Sequence, residues 1–277
     1  MTPSVGSAER VGNVIVAAAG DVVSAMIDRP AVGNAIDTDV IGGLETAVDL
    51  TVRRRAKVLT IRGADGCFSV GADLAQVVSA RGDPARLEEA ATRWGRLLDR
   101  FETGPFAAIA VVEGHATAAG FELVLACDIV LATKTARIGD GRLECGLVPS
   151  AGGAVRLSRY LPKARANYLL LSGELLSGTQ AEEWGLVTGT ADPDRLDALV
   201  EQVITRIAGN GGAALAAVKR MASNSRRLSQ TEAQCLERAV YVRHMASDDM
   251  AVALARQLQL RASSHTNGSG LTTGQRA

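Results

Sequence analysis

The sequence predicts an α/β fold: a mixed α/β core on a largely parallel sheet, followed by a C-terminal third that is almost all helix. Three observations carry this expectation. Short β-rich runs alternate with helical segments from residue 56 to about residue 190, the order that right-handed crossovers between parallel strands produce. Beyond Asp192-Pro193, Leu196, Leu199, Val203 and Ile207 recur at helical spacing. Of the 277 residues 47% are hydrophobic, only 3% are aromatic and 29 are glycine, which suits one large core with close backbone packing.

Elements follow in order. Residues 1–10 look frayed. Val11–Ala18 and Val22–Ile27 form a hairpin across Ala19-Gly20-Asp21. After an irregular loop, Thr38 can cap a helix that runs to about Val52 and ends in the basic run Arg53 to Lys57. Ala56–Arg62 is a strand, followed by the glycine-rich Gly63–Leu74, with a short helix from about Ala72. Asp83-Pro84 opens a helix that Gly104-Pro105 stops. A buried strand over Ala107–Val112 turns through Glu113-Gly114-His115 into the small-residue run Ala116–Gly120 and an apolar helix, before a strand over Asp128–Ala132. Arg137–Pro149 is a strand and loop. Helices follow over Gly152–Tyr160 and Lys163–Leu171, and Thr179 to Glu182 has the form of a capping box. In the C-terminal third, Ser229 to Glu232 is a second capping box, and a last helix begins at Ser247 and reaches about Arg261. Residues 262–277 lack periodicity and are expected to be disordered.

Composition excludes several classes. Basic and acidic residues both number 30, so no global field favours nucleic acid or a membrane surface. No apolar run reaches the roughly 18 residues of a membrane span, and the N-terminus lacks a secretory pattern, so a cytoplasmic protein is expected. The 4 cysteines show no CxxC pairing and are read as reduced thiols, and with 3 histidines they give no metal-ligand spacing. No G-x-G-x-x-G supports a dinucleotide site, and Ser150 lacks the first glycine of G-x-S-x-G and is better read as a helix cap.

The chemistry gathers around residues 108–128. Two Gly/Ala-rich turns, Ser69–Asp73 and Ala116–Gly120, each follow a buried strand and can offer free backbone N–H groups; two such donors on one oxygen form an oxyanion hole. Glu122 sits among Phe121, Leu123, Val124 and Leu125 just inside the second helix start. It is either a solvated glutamate on an amphipathic helix or an acid/base group beside the hole.

Here the chain resembles the crotonase (enoyl-CoA hydratase/isomerase) superfamily. The resemblance runs from about Val11 to about Arg261 and rests on five segments in order: DRPAVGNA (28–35), VLTIRGADGCFSVGADL (58–74), AIAVVEGHATAAGFELVLACDIVLAT (108–133), GLVPSAGGAVRLSRYLPKARA (146–166) and SGELLSGTQAEEWGLV (172–187). It implies a crotonase-like ββα spiral core over 11–191 carrying a thioester site, a helical trimerisation region over 192–261, and a homotrimer or dimer of trimers. It implies an acyl-CoA substrate, with coenzyme A as part of the thioester and no permanently bound cofactor. The thioester carbonyl is expected between the amides of Ala72 and Ala119. Arg29, Ala31 and Asn34 are expected along the cofactor channel, and Ala72, Asp73 and Leu74 against the adenine.

The family's hydratases hold a water between two glutamates. Glu122 matches the first; the second position is Arg142, which stays charged and cannot shuttle a proton at neutral pH, and which could pair with Glu122 or bind a substrate carboxylate bidentately. Three accounts follow. Glu122 works alone or with Asp140 or Glu144 in the second role, giving hydration or isomerisation of an enoyl-CoA. Arg142 grips a substrate carboxylate, giving decarboxylation, hydrolysis or C–C cleavage of a functionalised acyl-CoA. Or the protein is a non-catalytic thioester binder. A second departure lies in the last helix, where Ala255-Arg256 stands for the family's Ala-Phe pair, so that Arg256 or Arg261 is left to meet a phosphate.

Overall fold

The computed structural model describes residues 8–225, 227–255 and 258. It opens with β1 (Glu9–Val11), β2 (Val14–Ala19) and β3 (Val22–Ile27), paired antiparallel in that order. The expected hairpin joins β2 to β3. The first β-rich run is cut in two because Gly12 adopts a φ of 57° and turns the chain between β1 and β2.

Helix α1 (Thr38–Arg53) begins where expected, but its cap is Asp37, whose side chain accepts from the Val40 amide at 2.7 Å. Asn13 and Arg29 hold that carboxylate in the capping position, so Thr38 becomes the first helical residue. Then come β4 (Val58–Gly63), α2 (Leu74–Ala80) and α3 (Pro84–Thr103), with the Asp83 side chain capping α3 and Pro84 in its first turn. After them the chain runs β5 (Ala107–Val112), β6 (His115–Thr117), α4 (Ala119–Ala126), β7 (Ile129–Thr133) and β8 (Arg137–Gly139). A 3-10 turn over Arg142–Cys145 leads to α5 (Gly153–Tyr160), α6 (Lys163–Ser172), β9 (Leu176–Ser177), α7 (Gly178–Glu183) and β10 (Gly189–Ala191). The capping box of α7 is Ser177 with Gln180, two residues before the expected one. Gly178 decides the register: a Cβ there would lie 2.0 Å from the Thr133 carbonyl oxygen, so the helix starts where only glycine fits.

The main sheet has the order β1-β2-β3-β4-β5-β7-β10, parallel from β3 onward. A small sheet, β6-β8-β9, stands apart, with β6 parallel to β8. Strand β5 is buried along its whole length, as a parallel strand covered on both faces must be. Its alternate residues serve two cores. Ala108, Ala110 and Val112 join Leu44, Leu97, Leu98, Phe101 and Phe121 from α1, α3 and α4. Ile109 and Val111 join Val58 and Leu131 on the other face, which α8 (Leu196–Ala208) covers with Leu196, Leu199, Val203 and Ile207. That burial explains why the compact unit carrying the sheet runs to Leu215, beyond the 191/192 boundary expected from helical content.

Helix α9 (Gly212–Ser225) ends in a second unit that starts at Ala216. This unit holds α10 (Gln230–Met245), opened by the expected capping box of Ser229 and Glu232, and helical residues 248–255. Arg256, Arg261 and the tail lie outside the described residues. Among the described residues no helix is long and apolar enough to cross a membrane.

Candidate active site

The two Gly/Ala-rich turns meet. The Ser69 amide donates to the His115 carbonyl at 2.8 Å, and the Thr117 amide donates back to Ser69 O at 3.0 Å. Thr117 Oγ1 donates to the Val70 carbonyl at 3.0 Å. Gly120 permits the approach, since a Cβ there would lie 2.7 Å from the Ser69 carbonyl oxygen. Ala72 is bridged to Ile36 through its neighbours: the Ile36 amide donates to Gly71 O and the Asp73 amide to Ile36 O. Its own N–H therefore points to the opposite side of the strand. A Cβ at Gly71, whose φ is 105°, would lie 3.2 Å from the Ala119 nitrogen and 2.6 Å from the Ala118 Cβ. The amides of Ala72 and Ala119 thus come from adjoining backbone. Ala119 is ordinary helix, and the strain of the Ala118-Ala119-Gly120 run falls instead on Ala118, at φ 51° and ψ −117°. An alanine in that region costs about 1–3 kcal/mol.

One turn along α4, Glu122 is fully buried and is not a solvated glutamate. Its Oε1 accepts from Arg142 Nη1 at 3.2 Å, the Ala151 amide at 3.1 Å and the Gly153 amide at 3.3 Å. Its Oε2 accepts from Trp94 Nε1 at 3.1 Å and pairs with Arg142 Nη2 at 2.8 Å. Arg142 Nη1 also reaches Asp140 Oδ2 at 3.1 Å, and the Arg142 amide donates to Asp140 Oδ1 at 3.3 Å. Asp140 is tied to the hole through its own backbone, where its carbonyl accepts the Ala118 amide at 2.9 Å. The result is a buried Glu122–Arg142–Asp140 array with one cation between two anions. Burial pushes the Asp140 carboxyl above its usual range; Arg142 pulls the other way, and the Glu122 charge adds to the upward push.

Several expectations change here. Arg142 does not present a free fork to a substrate carboxylate, because its terminal nitrogens are engaged by Glu122 and Asp140. Glu144 does not take the second carboxylate position: it is exposed on the 3-10 turn, and its Cγ lies against Gly173. Ser150 is exposed and does not cap α5, whose N-cap is Gly152. The cap comes from another element, as the Glu122 carboxylate takes the loose amides of Ala151 and Gly153.

Of the residues expected along the coenzyme A channel, Ala31 and Leu74 are exposed. Arg29 is engaged by the Ala35 carbonyl, Asp37 and Asp73. Asp73 caps α2, and its carboxyl is held below the usual range by Arg29 and by the amides of Gln76 and Ala75. Asn34 is fully buried, its side-chain nitrogen donating to the carbonyls of Ala64 and Cys67, so its side chain faces the interior rather than a channel. Two residues of the site were not singled out by the sequence: Trp94 lies outside the five matching segments, and Arg156 lies inside the fourth with no role assigned. The available signal was physical: a buried indole N–H needs an acceptor, and the chain has only 2 tryptophans.

The family model described as enoyl-CoA hydratase/isomerase matches residues 18–262. A probable enoyl-CoA hydratase of Mycobacterium leprae is 28% identical over 242 residues, covering 87% of this chain and 93% of the relative. The 2,3-dehydroadipyl-CoA hydratase of Escherichia coli is 29% identical over 236 residues, covering 85% of this chain and 91% of the relative. Among solved structures, an enoyl-CoA hydratase subunit of Geobacillus kaustophilus superimposes with a TM-score of 0.82 at 28% identity, covering 89% of this chain and 95% of that one. The alternation of parallel strands and helices, the paired turns and these matches make one case: the chain belongs to the enoyl-CoA hydratase/isomerase family of the crotonase superfamily and is an enzyme of that family.

Proposed function

We propose that the protein isomerises an enoyl-CoA, holding the thioester carbonyl between the amides of Ala72 and Ala119 and moving a proton with Asp140. The observation that carries this reading is the occupant of the position facing Glu122. The family's hydratases hold the water between two glutamates, and here the position facing Glu122 is taken by Arg142, which engages both its oxygens. Double-bond migration needs a single base. Ionised Asp140 takes the proton from C2 of a 3-enoyl thioester, the electron pair moves to the carbonyl oxygen as an enolate held by the two amides, and the protonated carboxyl returns the proton at C4. The raised Asp140 carboxyl suits both halves of this exchange. Glu122 anchors the guanidinium that faces Asp140. Coenzyme A enters as part of the substrate, past the exposed Ala31 and Leu74.

The names of the relatives favour hydration as the second reading. Assays with a 3-enoyl-CoA and a 2-enoyl-CoA separate the two. The expected outcome is formation of the conjugated thioester from the first and little 3-hydroxyacyl-CoA from the second, with exchange of the C2 proton in deuterated water. Asp140→Asn is expected to lower isomerisation and exchange by about 10²–10⁴-fold, the usual worth of a positioned general base. Faster water addition than proton exchange, or an unchanged rate in Asp140→Asn, would overturn the reading.

A further inference from the structure

Arg156 takes no part in the proton transfer, yet it is only 7% exposed. Its Nη2 donates to Asp99 at 2.8 Å and Glu102 at 3.3 Å, both on α3. Its Nη1 donates to the Ala151 carbonyl at 2.7 Å. Its Nε is buried with no hydrogen-bond partner among the described residues. An unsatisfied buried donor opposes burial, so the contacts of the two outer nitrogens are what hold the side chain there.

Those contacts end on the turn that grips Glu122. The Ala151 residue that accepts from Arg156 donates its own N–H to Glu122 Oε1. A Cβ at Gly152, where φ is 92°, would lie 2.7 Å from Arg156 Nη1, so the guanidinium is packed directly on the turn backbone. From α3, Trp94 reaches the other oxygen of the same carboxylate. A closed circuit results. Helix α3 holds Glu122 once through Trp94, and a second time through Asp99 and Glu102, Arg156 and the turn whose Ala151 and Gly153 amides donate to Glu122.

We propose that Arg156 is a positioning residue for the acid/base centre: it clamps the 151–153 turn onto Glu122 and so fixes Arg142 against Asp140. The catalytic part of this inference rests on Asp140 as the proton-moving group; the structural part does not. If the clamp is loosened, Glu122 loses the two amides that orient it, and the guanidinium facing Asp140 moves with it. Displacements on the scale of 1 Å at a reacting group cost up to about 10²-fold in rate.

The test uses the full-length protein with Arg156→Met, Arg156→Lys and Asp99→Asn. The Asp99 side chain is 58% exposed, so its change weakens the clamp with little risk to folding. Two readouts are followed: kcat and KM for the 3-enoyl-CoA, and the indole N–H resonance of Trp94, assigned against Trp184→Phe. Arg156→Met is expected to lower kcat by about 10–100-fold with KM unchanged and to shift the Trp94 resonance. Arg156→Lys recovers part of both, and Asp99→Asn gives a smaller effect of the same kind. An unshifted Trp94 resonance in Arg156→Met overturns the clamp, and so does a loss expressed only in KM. Should Arg156→Met fail to fold, the same two readouts on Asp99→Asn decide. If the wild-type protein shows no proton transfer at all, the Asp140 reading fails while the resonance still decides the clamp.

Discussion

At the scale of single residues, the central fact is a guanidinium shared by two buried carboxylates. Removing one member of such a group leaves an uncompensated charge, which costs about 3–5 kcal/mol. Arg142→Met removes the cation between Glu122 and Asp140, so the two carboxylates face each other without it. Chemical denaturation is expected to show a loss of about 3–5 kcal/mol at neutral pH that shrinks as the pH falls and Asp140 takes up a proton. Asp140 supplies a second test. Its folded-state value is raised, so the stability due to its protonated form is complete below the unfolded value of about 3.9 and is lost as pH rises through the raised value. Asp140→Asn should flatten stability across that window, and the wild-type rate should rise with pH through the same window before levelling. Residue types at this site were legible in the sequence: Glu122, Arg142 and Asp140 were all singled out. Pairing of Arg142 with Glu122 was one of two readings of its charge, and distances that strand and loop spacing does not fix choose it over a fork left open for a substrate carboxylate. Trp94 lies outside the five matching segments, and Arg156 lies inside the fourth but with no role assigned to it, because both reach the site from α3 and α5 through contacts distant in the sequence.

At the scale of elements, the site depends on two turns that nearly collide. Gly71 and Ala118 divide the available space: a Cβ on Gly71 would lie 2.6 Å from the Ala118 Cβ. Gly71→Ala should therefore destabilise by about 1–3 kcal/mol and impair thioester binding, through overpacking and a positive φ together. Ala118→Gly removes a methyl from a residue at φ 51° and should stabilise by about 1 kcal/mol. In the double variant the Cβ–Cβ clash is absent, so a thermodynamic cycle should show a favourable coupling of at least about 0.5 kcal/mol. Simple additivity would mean that the turns do not share this space. The elements themselves were largely legible, since glycine, proline and capping residues mark their ends. The misplaced caps share one cause: Asp37, Ser177 and the Glu122 that caps α5 were chosen by partners distant in the sequence.

At the scale of the whole molecule, the main sheet is a partition with apolar residues on both sides. Parallel order was legible from the alternation of strands and helices. The assignment of α8 to the sheet was not, because an amphipathic helix does not say which face it covers. Leu97 belongs to the core on one face of the sheet and Leu196 to the cluster on the other, and both are at most 1% exposed. Leu97→Ala and Leu196→Ala should each cost about 2–5 kcal/mol, the range for buried leucines. The sheet separates the two sites, and they fall in different clusters, so their effects should add within about 0.5 kcal/mol in the double variant. Their consequences for catalysis should differ. Leu97 lies on α3 between Trp94 and the Asp99–Glu102 pair, so a cavity there should lower kcat as well as stability. Leu196 lies across the sheet from that helix, so its loss should lower the melting temperature and leave kcat unchanged. Urea unfolding and steady-state kinetics on the two single variants and the double variant check both statements. Equal kinetic damage from Leu196→Ala would show that the sheet transmits strain between its faces instead of isolating the site from α8.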